Sequence, residues 1–254
     1  MHPLLIVDDI LTVSKCSPTA SALNVTVNSF IESKKLKLSH KKCCAIHVGK
    51  SNRNCHELKV HGENMHRETS TKYLGDTLHN SGKTKFNILQ RSAKAHAILA
   101  EICAILTDVP LGKYRTEAGL QLRQAMFVNG VLYNSETWQG LGTTDLTILE
   151  NIDHQLIHII CDEHAKTPVE FLYLESGCLQ LKNMVSMHRI MYLHHILNIS
   201  DSELIKRVFS AQREIPTPGD FVELVKSDLQ AIGEAKFSIR ISLNKKLGWL
   251  LLMK

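Results

Sequence analysis

Leu4-Leu5-Ile6-Val7-Asp8-Asp9-Ile10-Leu11-Thr12-Val13 sets two apolar, β-prone runs on either side of an acidic dipeptide. That pattern predicts a tight hairpin with its carboxylates at the bend. Two adjacent carboxylates repel each other unless a cation or basic group neutralises them. Mg²⁺ suits the task, because it takes oxygen ligands and bridges carboxylates to phosphates. A solvated acidic turn is the plainer alternative, since Asp is favoured in turns anyway.

Outward from the hairpin, residues 19–33 carry Leu23, Val27, Phe30 and Ile31 at helical spacing, which predicts a helix. Residues 37–39 and 45–48 read as short strands, followed by a basic polar stretch to about Thr71. Residues 73–78 predict a further short strand, closed by the turn signal Asn80-Ser81-Gly82. The periodicity then becomes helical and stays so. Asn87 with Gln90 resembles a capping box opening a helix that turns Ile88, Ile98, Leu99, Ile102, Cys103 and Leu106 inward. Pro110 and Gly112 end it. Helices are expected at 116–133, at 144–161 with an apolar stripe from Leu146 to Ile159, and at 185–199 and 201–212. Pro216, Pro218 and Gly219 mark a loop before the last segment. The expected class is α+β: short antiparallel strands with a helix over 1–85, and a mostly helical part over 86–254.

The 254 residues are 44% hydrophobic and 22% charged, a globular balance with no depletion of large apolar residues. The net charge of +5 conceals an asymmetry. Residues 1–100 hold 15 Lys/Arg against 7 Asp/Glu, whereas residues 101–254 hold 15 against 18. A basic first part suits a polyanion, because phosphate contacts release counterions; a plain solubilising face carries the same charge. Lys34, Lys35, Lys37, Lys41 and Lys42 concentrate it. No signal-peptide pattern opens the sequence and no apolar run nears the roughly 20 residues of a membrane span. A soluble intracellular protein, nuclear or cytoplasmic, is therefore expected, with its seven cysteines reduced.

Zinc is disfavoured. Cys44-x₂-His47 is a usable ligand pair among Cys43, Cys55, His56, His61 and His66, but no second pair stands at a recognised spacing. His154, His158, Cys161 and His164 share a helix face next to the apolar stripe and read as ordinary solvated or satisfied side chains. His194 and His195 are adjacent and diverge on a helix.

Several segments follow the hairpin in a defined order: Leu36-Lys37-Leu38-Ser39-His40-Lys41-Lys42-Cys43, Tyr73-Leu74-Gly75-Asp76 and Gly82. Arg91-Ser92-Ala93-Lys94-Ala95 and Leu132-Tyr133-Asn134-Ser135-Glu136-Thr137-Trp138 come next. Leu149-Glu150-Asn151-Ile152-Asp153 and Leu174-Glu175-Ser176-Gly177-Cys178-Leu179 complete the series. In that order, over roughly residues 4–200, the chain resembles the later motifs of non-LTR (LINE-type) retrotransposon reverse transcriptases. The resemblance implies a palm remnant followed by a helical thumb and C-terminal extension. It makes Asp8-Asp9 the catalytic, Mg²⁺-binding aspartate pair of a two-metal nucleotidyl transfer. It sets Lys42 near the incoming triphosphate, although Ser39 stands where Asn is usual and Lys41 could serve equally. Tyr73-Leu74-Gly75 become the primer-grip turn, where Gly permits close backbone approach. The basic run Lys34, Lys35, Lys37 and Lys41 becomes a phosphate-tracking face. Trp138 reads as a core anchor. RNA template, DNA primer and deoxynucleotide triphosphates are the partners implied.

The same resemblance implies a third palm Asp and finger residues, which Met1–Val7 do not supply. The chain therefore reads as a fragment of an RNA-directed DNA polymerase, inactive by itself. A non-catalytic helical module that binds nucleic acid or protein is the alternative.

Overall fold

The computed structural model describes residues 4–6, 9–49, 58–60, 62–141, 143–164 and 166–232. The chain divides into two compact units, Met1–Asn87 and Ile88–Lys254, and its class is α+β with helix predominant.

In the first unit β1 (Leu4–Ile6) pairs antiparallel with β2 (Asp9–Leu11), Ile6 opposite Asp9. Helix α1 (Ser17–Ser33) opens with Pro18 in its first turn, where a missing N–H costs nothing. It closes by donating Lys35 N–H to the Glu32 carbonyl and Leu36 N–H to the Ile31 carbonyl. That pair of bonds is a Schellman cap, and it holds Lys35 at φ 57°, where glycine is usual. The expected strand at 37–39 does not form; these residues are irregular and lead into a 3₁₀ turn, His40–Lys42. The strand expected at 45–48 forms at Cys44–Ala45, and further strands lie in the stretch read as basic and polar. β3 (Cys44–Ala45) pairs with β6 (His66–Arg67), and β4 (Lys59–Val60) with β5 (Glu63–Asn64). The β3–β6 ladder is parallel, which corrects the expectation of antiparallel strands alone. The strand expected at 73–78 is a hairpin, β7 (Ser70–Tyr73) and β8 (Asp76–His79), turned at Leu74-Gly75.

The amides of Asn24 and Asn28 on α1 both donate to the Lys59 carbonyl, docking β4 on the helix. Ile31 and Val60 are the buried apolar side chains among the described residues of this unit. Helix α2 (Lys85–Thr107) begins two residues before Asn87, so Asn87 is not its cap. The Asn87 amide instead donates to Asp76 Oδ1 at 2.8 Å and accepts the Thr77 N–H at 3.4 Å, fastening β8.

The second unit is helical. α3 (Lys113–Leu122) runs through a π-helical stretch (Arg123–Val128) into α4 (Asn129–Val131). α5 (Thr143–Cys161), α6 (Val169–Ser176), α7 (Leu181–Asn198), α8 (Leu204–Glu214) and α9 (Phe221–Ala231) follow. One core gathers Ile102, Phe127, Trp138, Leu149, Leu156 and Leu181, so α2, α5 and α7 share it. A second joins Leu193 and Ile196 of α7 to Phe209, Phe221 and Leu229. Among the described residues no helix is long and apolar enough to cross a membrane.

α3 and α5 meet at Gly119, where an added Cβ would lie 2.9 Å from both Ile160 Cγ1 and Cγ2. Ile160 is β-branched and buried in a helix, so it has almost no alternative rotamer. Gly119→Ala is therefore expected to destabilise the fold by about 1–3 kcal/mol through overpacking, despite the gain in helix propensity. A urea denaturation midpoint no lower than that of the parent chain would refute the close contact.

Candidate nucleic-acid interface

The lysines singled out in the sequence all emerge on one connection, the cap of α1 and the 3₁₀ turn after it. Lys34, Lys35, Lys37, Lys41 and Lys42 are exposed. Lys34 reaches over the Phe30 ring, 5.9 Å from its centroid. Among the described residues none of the five enters an ion pair. Lys34 and Lys35 adjoin the C-terminus of α1, where cations complement the carbonyl end of the helix dipole. Nearby, His40 meets Glu63, Nδ1 to Oε2 3.3 Å, and Cys43 is half-buried with its thiol pKa pushed up by burial first and by Cys44 second.

The Tyr73-Leu74-Gly75 segment is a hairpin tip. Leu74 has φ 48° and Gly75 φ 84°, the two positive values of a type I′ turn, which matches the twist of the flanking strands. Tyr73 is half-buried and Gly75 exposed.

Asp9 is exposed at the head of β2; Asp8 lies outside the described residues, as do Cys55, His56 and His61. Among the described residues no group of three or more His, Cys, Asp and Glu side chains is placed to hold a metal ion. The described donor set thus does not make up the Mg²⁺ site that the resemblance implies.

The second unit holds groups that sequence reasoning did not join. Arg123, at the start of the π-helical stretch, and Asp153 on α5 form a bidentate pair, Nε–Oδ1 2.7 Å and Nη2–Oδ2 2.6 Å. Both are fully buried. Tyr173 of α6 donates its hydroxyl to Asp153 Oδ2 at 2.6 Å, and Arg123 Nη2 also donates to the Leu179 carbonyl. Burial opposes the Arg123 charge, but the Asp153 carboxylate overrides it and raises the pKa. Tyr173 is pushed well above its ordinary value by burial first and by Asp153 second, so it stays a donor. This network ties the π-helical stretch after α3 to α5 and α6. A similar pair, Arg189 with Asp228, joins α7 to α9.

An open cleft of about 510 Å³ lies between the end of α4 and α7. Asn134, left-handed at φ 60° and ψ 23°, reverses the chain after α4 into the 3₁₀ turn Ser135–Thr137; Asn tolerates that conformation through its short polar side chain. Ser135 is buried and shares a hydrogen bond with His188 Nδ1 at 2.8 Å, and Trp138 is buried. Pinned on both sides, Glu136 faces the cleft with Tyr133, His188, Tyr192 and His195. His188, Tyr192 and His195 are four and three residues apart on α7, one helical face. That spacing was visible in the sequence, but nothing local linked it to residues 133–136. Tyr192 is pushed up by burial first and then by the Glu136 carboxylate, so that charge is directed into the cleft.

Compared with protein-family models, with curated proteins and with solved structures, the chain matches none.

Proposed function

We propose that this chain is a nucleic-acid-binding portion of a non-LTR retrotransposon reverse transcriptase, the end of the palm with the thumb and its extension. On this reading it holds an RNA–DNA duplex by the phosphate backbone and does not extend a primer by itself. The observation that carries the binding half is the exposure of five lysines within nine residues, none ion-paired among the described residues. Phosphate contacts position a duplex without reading its sequence, which is the task of a thumb. The ordered motifs and the tight Leu74-Gly75 turn support the assignment to that class. Asp8-Asp9 are two carboxylates of the three that the resemblance calls for.

Primer extension with purified chain, a primed RNA template and either Mg²⁺ or Mn²⁺ should give no product above background. Duplex binding should be unchanged in an Asp8→Asn, Asp9→Asn double variant and indifferent to Mg²⁺. Template-dependent synthesis abolished by that double variant would show a working polymerase. Loss of binding in the variant would place the contact at the acidic hairpin instead of the lysines.

A further inference from the structure

We propose that the cleft between α4 and α7 is a pocket for a guanine base of single-stranded RNA, with Glu136 reading its edge and Tyr133 stacking on its face. The proposal rests on the nucleic-acid reading above and adds a second contact with base selectivity.

The chemistry starts with Glu136. Its carboxylate is half-buried and makes no hydrogen bond or ion pair among the described residues. An ionised carboxylate only accepts, so at the cleft its two oxygens suit a molecule that offers two adjacent donors. Guanine is the common base whose pairing edge offers two adjacent donors, N1–H and the 2-amino group. Adenine and cytosine set a ring nitrogen acceptor beside their amino group, and uracil flanks its one N–H with carbonyls. A carboxylate is therefore matched by guanine and repelled at one position by the others.

Tyr133 supplies the second element. It is 54% exposed at the cleft, while the Arg91 guanidinium lies over its ring, 5.6 Å from the centroid. Arg91 is buried and donates to the Gly130 and Val131 carbonyls, which hold it behind the ring. Aromatic side chains stack on bases, and a ring already polarised by one cation favours a neutral, electron-rich partner. The same Arg91 disfavours a second cation, such as a protein arginine, which the Glu136 carboxylate alone would also suit. The volume of about 510 Å³ accommodates one nucleoside.

The test uses the full chain and fluorescein-labelled hexamers UUGGUU, UUIIUU (I, inosine, which lacks the 2-amino group) and UUAAUU in anisotropy titrations. UUGGUU should bind about tenfold tighter than the other two, within the range for one two-point base contact. Glu136→Gln should erase that preference without altering the thermal melt, since Glu136 makes no hydrogen bond or ion pair among the described residues. Tyr133→Ala should weaken UUGGUU by about fivefold or more. Equal affinities for the three hexamers overturn the pocket while leaving duplex binding intact. Failure to bind hexamers and duplex alike removes both proposals together. Displacement of UUGGUU by N-acetyl-arginine amide but not by guanosine would assign the cleft to a protein cation and overturn the guanine reading.

Discussion

Asp153→Ala lowers the free energy of unfolding by about 3–5 kcal/mol, the range for removing one partner of a buried ion pair. The size follows from what is left behind. Arg123 remains charged, 2% exposed, with the Leu179 carbonyl as its other acceptor. The Tyr173 hydroxyl, which is not deprotonated at neutral pH, loses its acceptor as well. Water cannot enter to solvate either group without opening the packing of α5 on α6. Urea denaturation followed by circular dichroism measures the loss. An Arg123→Met, Asp153→Leu double variant should recover much of it, because replacing both partners by apolar groups removes the unpaired charge. A single variant within about 1 kcal/mol of the parent would mean that the pair is far more hydrated than its burial indicates.

Trp138→Ala should cost a similar amount, about 3–5 kcal/mol. Trp138 is 2% exposed within the core that α2, α5 and α7 share. The Arg91 guanidinium stacks over its ring at 5.6 Å as well as over Tyr133. Removing the indole leaves a cavity and loosens the arginine behind the cleft, so hexamer binding should fall along with stability. Trp138→Phe, which refills part of the volume, should recover more than half of the loss. Thermal denaturation of the two variants decides this, and equal melting temperatures for Ala and Phe would contradict a packing role.

How much of this could be read from residues alone depends on the range of the interaction concerned. α2 and α5 announce themselves because Ile98, Ile102 and Leu106, and Leu149, Ile152 and Leu156, repeat at helical spacing and are indeed buried. The strands between residues 58 and 73 are two to four residues long and rich in His, Lys, Arg and Glu. Such short polar strands carry no alternation to detect. Residues 37–39 do alternate, yet they find no partner strand and stay irregular. The residue pattern alone runs a strand through the β7–β8 bend because Leu74-Gly75 lacks the usual Asn-Gly or Asp-Gly signal, although the resemblance implies a turn there. Asn87 looked like a helix cap because Gln90 follows it, while its amide was needed by Asp76 and Thr77.

The lysine cluster was legible because charge density is local. The Arg123–Asp153–Tyr173 network was not, since its members are 30 and 20 residues apart and no single stretch of chain displays it. Glu136 and Tyr133 lie in the segment 132–138, but what they can bind depends on α7 lying opposite, which only the fold supplies.

The most direct test of the account is the affinity of the full chain for an RNA–DNA duplex across a salt series. The comparison is a variant with Lys34, Lys35, Lys37, Lys41 and Lys42 all changed to Gln. For the parent chain log K should fall linearly with log salt concentration. Each lysine that meets a phosphate should contribute about 0.7–0.9 to that slope, and the variant should lose those contributions together with most of its affinity. A parent chain that binds the duplex with no salt dependence, or a variant whose slope equals the parent's, would contradict the central claim.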